Sequence, residues 1–323
     1  MKIIKVSFLS VLMLMLLSCA ADSKKVTLTL GHTLDTRHVV HLAMVFMGER
    51  LDELSNGTMA INIYPGGQLG SEREMIELLQ IGSLSMTKVS ASPLEGFVPE
   101  MKIFAIPYVI RDREHFWKVL NSEIGQGLLK KTEVARIKGM GYYDAGSRSF
   151  YTTDAPIRTP DDLIGKKIRV LNSPTAVATV NALGGAATPI AWGELYAALQ
   201  QGVVDGAENN PPSYYLSRHY EIAKYYTLDE HTFVPDIILA SLPVWNSLNE
   251  QQQQWLSQAM ADSIEYQKSL WQDASDKALQ AVIDEGVEVI YPDKKPFQDK
   301  VKAFHDSFAG TPVATQITKI KQM

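Results

Sequence analysis

The sequence predicts an α/β protein of two lobes, and three observations predict it. At 323 residues the chain exceeds the roughly 250–300 residues at which single hydrophobic cores stop growing. Between Lys167 and Asn210 the apolar periodicity changes in the order strand, helix, strand, helix, strand, with Gly184-Gly185 closing the first helix, which is a βαβαβ pattern. From Asn249 to Glu285 there is neither proline nor glycine, an interval far longer than the mean helix of about 11–12 residues. Composition agrees with packed cores, since 46% of residues are hydrophobic and 21% charged. A net charge of −5 argues against a nucleic-acid surface, which needs clustered Lys and Arg.

Residues 1–21 read as a targeting segment. Lys2 and Lys5 form a basic start, Val6 to Leu17 an apolar core, and Ser18-Cys19-Ala20-Ala21 a small-residue processing region. Cys19 is the only cysteine, so neither an intramolecular disulfide nor a thiolate metal site is available. Two readings of it stay open. Leu16-Leu17-Ser18-Cys19 is a lipobox-like run whose thiol would be acylated, or cleavage falls after Ala20 or Ala21. Either way the rest of the chain is exported.

The first strand is Val26 to Leu30, ending at Gly31-His32, and a helix from about Thr36 to Ser55 follows with Asn56-Gly57 as its stop. His32, His38 and His41 admit a metal reading, but no carboxylate motif accompanies them. A histidine at a strand end also donates hydrogen bonds, here to a ligand oxygen. Met59 to Tyr64 is the second strand; Pro65-Gly66-Gly67 then turns into a helix opening at Ser71, with Glu72 and Glu74 in its first turn. Arg73 opposes that helix dipole, so it either pairs with Glu77 one turn on or meets a ligand. Leu84 to Val89 forms the third strand, and the hydroxyls of Ser90-Ala91-Ser92 follow it. Phe104 to Tyr108 reads as a buried crossing, Glu114 to Leu120 as a helix, and Ile137 to Tyr143 as a strand leading to Gly146-Ser147-Arg148.

In the βαβαβ segment, Asn172, Trp192 and the Asn209/Asn210 pair emerge at the carboxyl ends of strands, where ligands sit in such sheets. Arg169 lies among Ile168, Val170 and Leu171. A guanidinium there pairs with a carboxylate of its own protein or meets an external anion, because an unpaired buried charge is costly. Arg148 has the same choice, with Asp144 or Asp154 as internal partners. Around Phe233-Val234-Pro235-Asp236 the chain returns to the first lobe, giving a strand from Ile237 to Val244. After the long helix, Val287 to Tyr291 is a strand and Lys295 to Phe308 a final helix.

Three runs carry a resemblance. Gly165-Lys166-Lys167-Ile168-Arg169-Val170, the segment Thr188-Pro189-Ile190-Ala191-Trp192-Gly193-Glu194-Leu195 continuing to Gln200, and Val204-Asp205-Gly206-Ala207-Glu208-Asn209 resemble the DctP-type solute-binding proteins of TRAP transporters, over about Val26 to Ile290. The resemblance implies a two-lobed periplasmic binding protein fold with a hinge and a long helix crossing both lobes. Lobe I would comprise 24–146 plus 235–272, and lobe II 147–234 plus 273–323. Arg169 would hold a ligand carboxylate, Arg148 and Asn209 would fix further oxygens, and Trp192 would form an apolar wall. Arg73, Asn172, His32, Ser90 and Tyr214 complete the expected contacts. The run Gly206 to Ser213 looks most like members that bind hexuronates such as glucuronate or galacturonate, with a C4-dicarboxylate as the runner-up. The implied partners are the membrane permease subunits, with no cofactor, and the chain acts as a monomer in the periplasm. A sensor of the same ligand is a further alternative. An enzyme acting on an organic acid is disfavoured, because no phosphate-binding glycine loop, nucleophile elbow or HExxH motif is present.

Overall fold

The computed structural model describes residues 25–323; the targeting segment and Cys19 lie outside the described residues. The chain runs β1 (Val26–Gly31), α1 (Val39–Leu54), β2 (Met59–Tyr64), α2 (Glu72–Gln80), β3 (Met86–Ser90) and β4 (Ile137–Tyr143). It then crosses to β5 (Arg148–Thr152), β6 (Lys167–Val170), α3 (Pro174–Leu183), β7 (Ala186–Pro189), β8 (Gly206–Asn209), α4 (Pro211–Leu216) and β9 (Tyr225–Thr232). It returns for β10 (Asp236–Ser241), continues through α5 (Glu250–Asp284) and β11 (Glu288–Ile290), and closes with α6 (Pro312–Lys321).

Local chemistry explains the helix starts. Ser71 and Glu74 form a capping box on α2, and Asn249 and Gln252 do the same for α5, each satisfying backbone donors that a helix leaves unpaired. α3 begins with Pro174, whose missing N–H costs nothing there, and ends at Gly184 with φ 110°, a left-handed cap that glycine adopts freely.

Two sheets result. The first has the order β2-β1-β3-β10-β4 and the second β11-β9-β5-β8-β6-β7. β10 is antiparallel to both β3 and β4, and β5 is antiparallel to both β8 and β9. Each lobe therefore owns one strand delivered by a crossover, β4 to β5 and β9 to β10. The apolar faces of the first sheet bury Leu30, Met44, Ile238 and Met260 on one side and Val89, Phe116, Ile237 and Leu239 on the other. The second sheet packs Tyr151, Tyr214 and Tyr226 on one side and Phe150, Ile168 and Val180 on the other.

α5 spans both lobes. Leu256, Ala259, Met260 and Trp271 join the first lobe's core, and Val282 joins the second's. Its middle is fastened to the β4–β5 crossover. The Gln267 amide accepts from Asp144 N at 2.9 Å and donates to Asp144 O at 2.8 Å, so both main-chain groups of one hinge residue are satisfied by one buried side chain. Two residues on, Gly146 has φ 58°, and a Cβ there would come 3.0 Å from Trp271.

Three expectations need correction. The strand foreseen to Val244 stops at Ser241, whose hydroxyl caps a short helix, Leu242–Ser247. The single final helix from Lys295 to Phe308 is two short helices, broken at Val301, and a further helix, α6, follows. Residues 273–323 do not all stay with the second lobe either. Ile317 and Ile320 of α6 pack among Phe116 and Leu120 of the first.

Candidate ligand site

The strand register brings the site together. Ser90 at the end of β3 pairs with Asp236 at the start of β10, and Ser149 beside Arg148 pairs with Asn209 at the end of β8. Two adjoining cavities between the lobes share Glu72, Leu171 and Trp192 as walls. One, of about 30 Å³, is lined also by Lys88, Ser90, Arg148, Asn209, Asn210, Ser213 and Asp236. The other, of about 260 Å³, is lined by Arg73, Pro93, Arg169, Asn172 and Ile190.

Arg169 is 1% exposed and has no carboxylate partner among the described residues. Its Nε donates to Ile190 O at 2.9 Å and its guanidinium carbon lies 5.5 Å from the Trp192 ring centroid. Among the described residues, its Nη1 and Ser92 Oγ are the two buried side-chain polar atoms without a hydrogen-bond partner. Burial pulls its pKa below the usual arginine value. Buried donors are ordinarily paired, so an unsatisfied guanidinium nitrogen at a cavity wall leaves a donor open to an acceptor from outside the chain.

Arg148 is satisfied from within. It forms an ion pair with Glu208 through Nε, donates from Nη2 to Glu208 Oε1 at 2.9 Å and to Glu208 O at 2.7 Å, and from Nη1 to Asn209 Oδ1 at 3.0 Å. The internal partner is thus Glu208. Asp144 is engaged by Arg113 and Asp154 by Lys166. His231 joins the network, with Nδ1 2.8 Å from Asp229 and Nε2 3.8 Å from Glu208, the second being an ion-pair separation beyond a hydrogen bond. Burial opposes charge on His231, but Asp229 and then Glu208 outweigh it and raise the pKa to about 9. Burial likewise opposes charge on Glu208, and Arg148, followed by His231, brings it down to about 2.

A pH dependence follows from these directions. The raised His231 contributes stability in full below its ordinary value near 6.5 and loses it as pH rises toward about 9. The depressed Glu208 contributes above its ordinary value near 4.5 and loses it as pH falls toward about 2. The stability advantage of wild type over His231→Gln should therefore shrink between pH 6.5 and 9 in denaturation series. A constant difference across that window would refute the charged imidazole.

Lys88 is a second buried cation of the cleft. It is 2% exposed, with Nζ 2.9 Å from Asp236 and 3.3 Å from Glu72. Burial disfavours its charge, but Asp236 and Glu72 raise its pKa above the ordinary lysine value. Ser90 donates its N–H to Glu72 Oε1 at 2.9 Å, and its hydroxyl faces the same carboxylate. Glu72, in the first turn of α2, thus lines both cavities as well as compensating the helix dipole.

The expected site residues divide. Arg169, Arg148, Asn209, Asn172, Trp192, Arg73 and Ser90 line the two cavities, although Arg73 also pairs with Glu77 at 3.1 Å. His32 and Tyr214 do not line either. His32 Nδ1 accepts from Leu34 N at 3.1 Å, which leaves Nε2 to donate to His41 Nδ1 at 2.9 Å. Burial first, and Lys88 second, push its pKa down to about 3. Tyr214 points into the second lobe's core, donating to Ala223 O and packing with its ring tilted against those of Tyr151 and Tyr226. Lys88, Glu72, Asp236 and Ser213 were missed. Lys88 carried the signal that singled out Arg169, a cation inside an apolar strand.

The chain matches the family model described as bacterial extracellular solute-binding protein, family 7 (DctP), over residues 30–311. It is 40% identical over 272 residues to the uncharacterized protein YiiZ of Salmonella typhimurium, covering 84% of this chain and 83% of that one. Among solved structures it is similar to a TRAP periplasmic solute-binding protein from Bradyrhizobium sp. BTAi1 in complex with galacturonate, with a TM-score of 0.89, 37% identity, and 92% of this chain and 100% of the other covered. A TRAP periplasmic solute-binding protein from Pseudomonas putida F1 with bound D-glucuronate gives a TM-score of 0.89 and 35% identity, covering 92% and 97% of the two chains.

Proposed function

The chain belongs to bacterial extracellular solute-binding protein family 7, the TRAP solute-binding family, and from that premise we propose that its own solute is a hexuronate such as D-galacturonate or D-glucuronate. The observation that carries this is the charge balance of the cleft. Lys88 faces Glu72 and Asp236, Arg148 faces Glu208, and Arg73 faces Glu77. Among the described residues, Arg169 alone of these cavity-lining cations lacks a carboxylate. One uncompensated buried guanidinium calls for one carboxylate, bonded by two parallel N–H donors. A C4-dicarboxylate would bring a second negative charge toward Glu72 and Asp236, where like charges cost several kcal/mol. A uronate presents hydroxyls instead, and Ser90, Asn209, Asn210 and Ser213 offer neutral polar groups to them. Solved uronate complexes of similar proteins agree with this reading.

Capture proceeds by lobe closure. Arg169 takes the carboxylate, Trp192 covers the sugar ring, and the Arg148-held Asn209 amide fixes a hydroxyl as water leaves. Closure also forms the surface a membrane permease would recognise, so affinity and delivery share one equilibrium. The family is one of solute binding, and the permease supplies the energy of uptake. Thermal denaturation against a panel of uronates, succinate and malate tests the ligand: a solute at 100 times its dissociation constant adds about 2.7 kcal/mol. We expect galacturonate or glucuronate to give the largest shift. Stabilisation by succinate or malate with none by a uronate would reverse the assignment.

A further inference from the structure

Beside the larger cavity, the lobes meet through a buried carboxylate. Glu95 follows β3 in the first lobe and is 6% exposed. Its Oε2 accepts from Ser173 Oγ at 2.6 Å and from Thr175 N at 3.2 Å, and its Oε1 accepts from Thr175 Oγ1 at 2.7 Å. Lys102 Nζ is 3.8 Å from Oε1. Ser173 and Thr175 belong to the second lobe, at the N-terminus of α3. Ser173, the N-cap residue, accepts from Ala176 N, and Pro174 has no N–H to offer, so Thr175 N is the donor that the other lobe completes. One turn further along the same face, buried Thr179 donates to Ala105 O of the first lobe at 2.9 Å. Both ends of the contact adjoin the ligand cavity, through Pro93 on one side and Asn172 on the other.

We propose that Glu95 is a closure latch: a first-lobe carboxylate that docks on the N-terminus of the second lobe's α3 and holds the lobes shut without touching solute. The proposal rests on the reading that lobe closure captures the solute. Apparent affinity scales with the population of the binding-competent state, and a latch made only on closure raises that population and slows release. Two hydrophilic groups facing water in the open arrangement become buried together in the closed one, where the carboxylate meets a helix N-terminus, the favourable end for an anion.

The test compares wild type, Glu95→Gln, Glu95→Ala, Thr175→Val and the Glu95→Gln/Thr175→Val pair. Calorimetry and stopped-flow release use D-galacturonate, D-glucuronate and succinate as probes. Expected is a release rate at least tenfold faster in Glu95→Ala, a smaller increase in Glu95→Gln, an association rate within about twofold of wild type, and non-additivity in the double variant. The choice of probe by wild type tests the uronate reading, and the variant-to-wild-type ratio on whichever probe binds tests the latch. Unchanged release in Glu95→Ala and Glu95→Gln would overturn it. A lowered melting temperature with unchanged release would also overturn it, since packing alone would then account for the carboxylate.

Discussion

Arg169→Ala should abolish tight solute binding while leaving the empty protein close to wild-type stability. Truncating one partner of a desolvated, hydrogen-bonded charge pair costs roughly 2–5 kcal/mol of affinity. The apo protein gives up only the bond to Ile190 O and the contact with Trp192, and it is relieved of a buried donor that had no partner. Arg169→Lys should recover part of the affinity, because an ammonium cannot reproduce a guanidinium's two parallel donors. Calorimetry and apo denaturation on the three proteins decide the matter. A strongly destabilised apo Arg169→Ala, or near-normal affinity in it, would falsify the carboxylate-anchor role.

The same residue type 21 positions earlier should behave in the opposite way. Arg148→Met strands Glu208, which is 4% exposed, with only the more distant His231 to oppose its charge. Breaking a buried pair by removing one partner costs about 3–5 kcal/mol of folding stability, so the empty protein should be markedly destabilised. Pairing the change with Glu208→Gln should restore much of the loss, since contacting residues are not additive. Apo denaturation of Arg148→Met at wild-type stability would show that the pair carries no such weight. Taken with the Arg169 series, this separates a structural arginine from a receiving one in a single cleft.

The difference between these two arginines was not legible in the sequence, although both were singled out. Each is buried in its strand, and local spacing offered Arg148 the wrong partners, Asp144 and Asp154. Its actual partner lies across the antiparallel β5–β8 ladder, where Phe150 faces Glu208 and Ser149 faces Asn209, a register that only tertiary pairing sets. The long helix was legible because 35 residues without proline or glycine have few other ways to fold. His32 and Tyr214 were misplaced for a common reason. A side chain near a strand end or helix start has two faces available, and packing against His41 or Tyr226 chose the inward one. Glu95 carried no local signal, since its partners are supplied by another lobe. Lobe membership of α6 was equally hidden, being decided by where Ile317 and Ile320 find apolar surface.

The position of β10 between β3 and β4 sets the order in which the protein can be made. Until the ribosome has delivered residues through Ser241, the first sheet is two fragments, β2-β1-β3 and a lone β4, each exposing an edge to water. The hydrogen bond from Ser90 to Asp236 joins groups 146 residues apart in sequence, and contacts of such separation form slowly because a long segment must be ordered first. The first sheet therefore cannot be completed until β10 has been made. This order also means that no single cut yields two complete halves, since a fragment ending before β10 lacks the strand that joins its sheet.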